Sequence, residues 1–103
     1  MTPLCRAAQA ELPIGWRDHP VSGVFAKVDG VELDPEQRGD VWRLDAWVGE
    51  VCVMSPWCPT LRAAVQSILS EPAPEPGPGW QPDDLAKRDR IHAVLRGVLE
   101  RAP

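Results

Sequence analysis

Alternation of apolar and polar positions is clearest between Val24 and Met54. In VFAKVDGVELD, Asp29-Gly30 divides two alternating runs, the strongest short-range signal for a hairpin. A two-residue turn there sets Val28 opposite Val31 and Ala26 opposite Leu33 on one face. It sets Lys27 opposite Glu32 on the other, an opposite-charge pair on the wet side. A second hairpin is predicted in DVWRLDAWVGEVCVMS, turning at Gly49-Glu50, where glycine in the first central position suits a type II′ turn. Trp42, Leu44, Ala46, Val48, Val51 and Val53 then share the apolar face. Arg43, Asp45, Trp47, Cys52 and Met54 share the other, which is mixed rather than polar.

Past Met54 the period changes. Leu61, Ala64, Val65, Ile68 and Leu69 recur at helical spacing, so a helix is predicted over residues 59–70, with its apolar stripe on the sheet. At the other end of the chain, Thr2 and Pro3 suit the cap and first position of a short helix. Leu4, Ala7, Ala8 and Leu12 give that helix a thin stripe, and Pro13 and Gly15 end it.

The stretch from Ser70 to Pro82 holds five prolines and two glycines in 13 residues, which excludes regular structure and reads as a semi-stiff linker. A last helix follows, with Asp83 and Asp84 at its favourable end and a stripe of Leu85, Ile91, Leu95, Val98 and Leu99. That stripe suits either packing back on the domain or a homodimer. The expected organisation is a core domain over 1–71, a linker over 72–82 and an amphipathic helix over 83–101. The expected fold is α+β: one antiparallel sheet of about four strands from two hairpins, with helix 59–70 on one face.

Size and composition change this picture in three ways. The 103 residues allow one modest core. Five tryptophans (Trp16, Trp42, Trp47, Trp57 and Trp80) exceed what such a core readily absorbs. Trp42 and Trp57 are expected inside, Trp47 on the mixed sheet face and Trp80 in the linker. The net charge of -4 is unevenly spread: residues 29–50 carry a net -5, whereas residues 83–101 carry +1. An acidic protein is repelled by phosphate backbones, so no direct nucleic-acid contact is expected. MTPLCRAAQAEL carries one positive charge and no long apolar stretch, so no signal peptide is expected. No segment reaches the roughly 20 apolar residues of a membrane span. A cytoplasmic protein with three free thiols is expected.

Candidate chemistry centres on Trp57-Cys58-Pro59-Thr60, at a predicted strand-to-helix junction. A thiol at a helix N-terminus feels the positive end of the dipole and is activated. These four residues resemble a monothiol version of the thioredoxin-like and glutaredoxin-like motif, which implies Cys58 as nucleophile. That fold needs a βαβ unit ahead of its hairpin, whereas two hairpins precede Cys58 here. The alternative reading is purely structural: Pro59 at the first helical position and Cys58 at the cap. No hydrolase, phosphate-loop or EF-hand motif occurs. Asp18-His19 is a dipeptide with no assigned partner. Cys5, Cys52, Cys58, His19 and His92 lack the close pairing of zinc ligands, so no metal or cofactor is expected.

The strand–strand–helix layout of WRLDAWVGEVCVMSPWCPTLRAAVQSIL resembles double-stranded RNA-binding and integrase arm-binding domains. Those domains place basic residues at the start of the last helix, where this chain offers only Arg62. Lys87, Arg88 and Arg90 on the final helix are the residues that a nucleic-acid-binding module would use. The leading expectation is different. Trp47 and Asp45, with Glu32, Asp34, Glu36, Asp40 and Trp80, suit a small acidic, non-enzymatic inhibitor or regulator. Phage anti-defence proteins and nucleic-acid mimics have this character. Such a protein docks on a basic surface of a protein partner, steered by charge and anchored by aromatics.

Overall fold

Three two-residue turns spaced ten residues apart, Asp29-Gly30, Gly39-Asp40 and Gly49-Glu50, set the topology. The computed structural model describes residues 2–21, 23–70, 78–79 and 81–101. Its elements run in the order α1 (Pro3–Glu11), β1 (Arg17–His19), β2 (Gly23–Val28), β3 (Val31–Arg38), β4 (Val41–Val48), β5 (Val51–Met54), α2 (Leu61–Ser70) and α3 (Pro82–Arg101). The five strands form one antiparallel meander in chain order.

The α+β class holds, and the sheet is one strand larger than expected. Arg17–His19, which no alternation marks as a strand in the sequence, adds β1 to the edge of β2. The two expected hairpins are also continuous with each other through the turn at Gly39-Asp40. Asp29 and Gly30 both have positive φ (49° and 84°), as a type I′ turn requires. At Gly39 (61°) and Gly49 (57°) only the first central residue does, as in type II′.

Pro35 lies inside β3, yet it does not break the β3–β4 ladder. It pairs with Leu44 at a position where strand β3 turns its backbone N toward β2. The missing donor is therefore felt on the β2 side, and the β2–β3 ladder covers only Ala26↔Leu33, Lys27↔Glu32 and Val28↔Val31. Beyond that point β2 pairs with β1 on its other edge.

Val24, Ala26, Val31, Leu33, Trp42, Leu44 and Ala46 line the inner face and are buried. The three helices cover that face: α1 over β2, α2 over β4, and α3 against α2, β5 and β4. Leu61, Ala64, Val65 and Ile68 of α2 are buried as their spacing predicts. Ile91, Val94, Leu95 and Val98 of α3 are buried in the same core, so its apolar stripe is used within the chain. Thr2 caps α1, its hydroxyl accepting from the Cys5 N–H at 3.2 Å. At α3 the Asp84 carboxylate accepts from the Gln81 N–H at 2.9 Å, and the helix begins at Pro82, inside the expected linker. Most of that linker lies outside the described residues.

Helix α2 starts two residues later than predicted. Thr60 is its cap: the hydroxyl accepts from Ala63 N–H at 2.9 Å, and the carbonyl accepts from Ala64 N–H. Cys58 belongs to the sheet. Its N–H and C=O exchange 2.7 Å hydrogen bonds with Trp42, closing the ladder past a bulge in which Pro56 and Trp57 oppose Arg43 alone. The demand of Trp42's backbone groups for partners decides this.

Ser55 holds the near side of the bulge. Its hydroxyl accepts from Leu44 N–H at 2.9 Å and donates to the Pro56 carbonyl at 2.8 Å. Ser55→Ala would leave a buried N–H without a partner. We expect a loss of about 1–3 kcal/mol in urea unfolding, seen as a lower midpoint with unchanged m-value; an unchanged midpoint would contradict this role for the bulge.

Candidate functional site

The face of the sheet away from the helices is built by register. Directly opposed across β3, β4 and β5 are Glu32, Trp47 and Cys52, then Asp34, Asp45 and Met54. Glu36 opposes Arg43 next along, and Lys27 of β2 opposes Glu32. Trp47 (38% exposed) and Met54 (59%) are the large apolar groups left open on this face. A cleft of about 520 Å³ opens beside them, lined by Glu32, Asp34, Pro35, Asp45 and Trp47, with Leu4 of α1 at its rim. Trp47 also lines a second cleft, toward Cys52, Gly79 and Asp84.

The charges on this face are not balanced. Arg43 meets Glu36 at 2.6 Å and lies 3.5 Å from an Asp45 oxygen. Asp34 has no such cation beside it among the described residues, and its Oδ1 is buried without a hydrogen bond. Burial, a hydrogen bond with Glu32 and repulsion from Glu32 and Asp45 hold the Asp34 carboxyl up at about 7. Asp45 is also raised, chiefly by burial, with Arg43 opposing. Cys52 is pushed up to about 11 by burial and by the Asp45 and Asp34 carboxylates, so it stays a thiol.

The structure brings five of the sequence-predicted residues onto one surface: Glu32, Asp34, Glu36, Asp45 and Trp47. Asp40 stands apart, exposed in the Gly39-Asp40 turn. Trp80 lies outside the described residues. Sequence reasoning put Met54 on this face without assigning it to the site, and missed the cleft at Pro35. The proline in an alternating strand was the available signal for the cleft, because it ends pairing on one side only.

The tryptophans differ from expectation. Trp57 is only half-buried, and the Arg38 and Arg43 guanidinium groups each lie 5.1 Å from its ring. Bulging carries it out of the core line. Trp16 takes a core place instead, its indole N–H donating to the Leu12 carbonyl at 2.7 Å.

The residues of the alternative readings lie elsewhere in the fold. Cys58 pairs with Trp42 two residues ahead of the Thr60 cap, and its buried thiol donates to the Pro56 carbonyl at 3.5 Å. Asp18 accepts from the Thr2 hydroxyl at 2.8 Å, and its carboxyl is lowered by that hydrogen bond. His19 packs edge-on against Phe25. Among the described residues, no group of three or more His, Cys, Asp or Glu side chains could hold a metal, and no helix is long and apolar enough to cross a membrane. Three basic residues of α3 meet the turns at Asp29-Gly30 and Gly49-Glu50, at the end of the sheet that bears Trp47. Arg90 donates to the Asp29 carbonyl at 3.1 Å, Arg101 pairs with Asp29 at 3.8 Å, and Lys87 lies at Gly49. Arg88 pairs with Asp89 at 3.7 Å.

Two outcomes are expected from this electrostatics. An Asp raised from about 3.9 unfolded to about 7 folded favours the native state below the lower value. That contribution is lost as pH rises through the upper one. The urea midpoint should therefore fall between pH 5 and pH 8. Asp34→Asn should flatten the fall and exceed the natural protein at pH 8; parallel slopes would refute the assignment. Separately, Cys5 and Cys58 are buried, so their alkylation by iodoacetamide should occur only through unfolding, at rates that rise with urea. Rapid native-state labelling of Cys58 would revive the thiol-enzyme reading.

Compared with protein-family models, curated proteins and solved structures, the chain matches none of them.

Proposed function

We propose that the chain is a small, non-enzymatic binding protein, an inhibitor or regulator, whose outer sheet face docks on a basic surface of a protein partner. One observation carries this reading: an open tryptophan sits among acids that outnumber the cations beside them, next to a cleft. Partially buried carboxylates without cations are unfavourable when alone and become favourable when a partner supplies the charge. Trp47 and Met54 offer apolar area at the centre of the same face, the composition found at binding hot spots. The free thiols suit a reducing compartment such as the cytoplasm.

Titration of the protein with a short Lys/Arg peptide, followed by tryptophan fluorescence, tests the reading. Saturable, salt-sensitive binding is expected, with Trp47→Ala combined with Asp45→Arg weakening it at least about tenfold, the scale of losing one hot-spot contact. Equal binding by that variant would refute the site. Binding of duplex DNA or RNA at low salt, with no response to the peptide, would favour a nucleic-acid role for α3 instead.

A further inference from the structure

The turn at Gly39-Asp40 fixes a register in which two aspartates, Asp34 and Asp45, are directly opposed on adjacent strands. Like charges in such a pair repel. Both carboxyls turn an Oδ1 atom out of solvent, and neither of these atoms has a hydrogen bond. A proton held on Asp34 relieves the repulsion by removing one negative charge, and it serves the hydrogen bond between Asp34 and Glu32.

Every group facing the pair bears on this. On β3, Glu32 and Glu36 flank Asp34 and add negative charge, and Glu32 also shares a hydrogen bond with Asp34. On β4, Arg43 is the near cation, but it is committed to Glu36 at 2.6 Å and reaches Asp45 only at 3.5 Å. On β5, Cys52 and Met54 bring no charge, since Cys52 stays protonated. On β2, Lys27 is exposed and opposes Glu32 rather than Asp34. Leu4 closes the α1 side of the cleft with apolar surface. No second internal cation reaches the pair among the described residues.

We infer that the docking face is proton-gated: Asp34, opposed to Asp45 and flanked by Glu32, holds a proton while the face is free, and releases it to solvent when a cationic side chain of the partner seats beside Trp47. This rests on the docking reading above. The direction follows from linkage, because a cation stabilises the doubly ionised pair and deprotonation in turn strengthens cation binding. The raised Asp34 carboxyl, near 7, sets the pH at which the gate acts.

Two measurements separate the gate from the docking. In the free protein, carbon NMR of the aspartate carboxyls should show a titration near pH 7. Asp45→Asn should lower that of Asp34 toward the ordinary range. Titration of both carboxyls near 4 in the natural protein would overturn the gate and leave docking standing. In the second, the Lys/Arg peptide is titrated calorimetrically at pH 7 in two buffers of different ionisation enthalpy. Release of a fraction of a proton is expected, with affinity rising up to about tenfold per pH unit below the midpoint and levelling off above it. Asp34→Asn should bind without that pH dependence. Binding with no proton release overturns the gate; no peptide binding at pH 8, with the NMR midpoint still near 7, overturns the docking reading itself.

Discussion

The register between β3 and β4 is the constraint on which the rest depends. It is set by two residues, Gly39 and Asp40, because a two-residue turn allows one pairing of the strands it joins. With Arg38 opposite Val41, every inward position of β4 is apolar: Trp42, Leu44 and Ala46. A slip of one residue would turn Arg43, Asp45 and Trp47 into the core. The same register sets Asp34 against Asp45, so packing on the inner face fixes the electrostatics of the outer face.

A consequence is that the outer face carries an electrostatic conflict that the fold itself does not resolve. The inner face has no freedom to shift, since α2 and α3 bury their stripes against it. Arg43 is shared among Glu36, Asp45 and the Trp57 ring, and the remaining carboxyls are left with partial burial and mutual repulsion. Repulsion of this kind is a common mark of a surface that acts, because stability alone would remove it. The turns beside Trp47 behave differently: there Arg101 pairs with the Asp29 carboxylate and Arg90 donates to the Asp29 carbonyl.

The bulge at Pro56 and Trp57 shows backbone satisfaction overriding local propensity. Pro59 at a helix start is locally reasonable, and it invites the redox reading of Cys58. Trp42 needs two hydrogen bonds on its β5 side, and Cys58 supplies both. The cap then passes to Thr60, the thiol is buried, and Trp57 is pushed out between two arginines.

The sequence by itself determined the α+β class, the turns at Asp29-Gly30 and Gly49-Glu50, the pairings beside them and the stripes of α2 and α3. These features are local: turn chemistry and periodicity act over a few residues, and a short reading frame captures them. It also determined that Glu32 and Asp34 share one side of a strand, as Asp45 and Trp47 do. Only the tertiary structure decided that those two sets face each other, because the joining turn follows the polar run Asp34–Arg38, where alternation of hydrophobicity fades and Pro35 argues against a strand. The same holds for β1, which is too short to show a period and exists through its pairing with β2. It holds also for Cys58, whose place was settled by partners 16 residues earlier in the chain. Distance along the chain is the common physical reason: each of these features satisfies a group that no neighbour in sequence could satisfy.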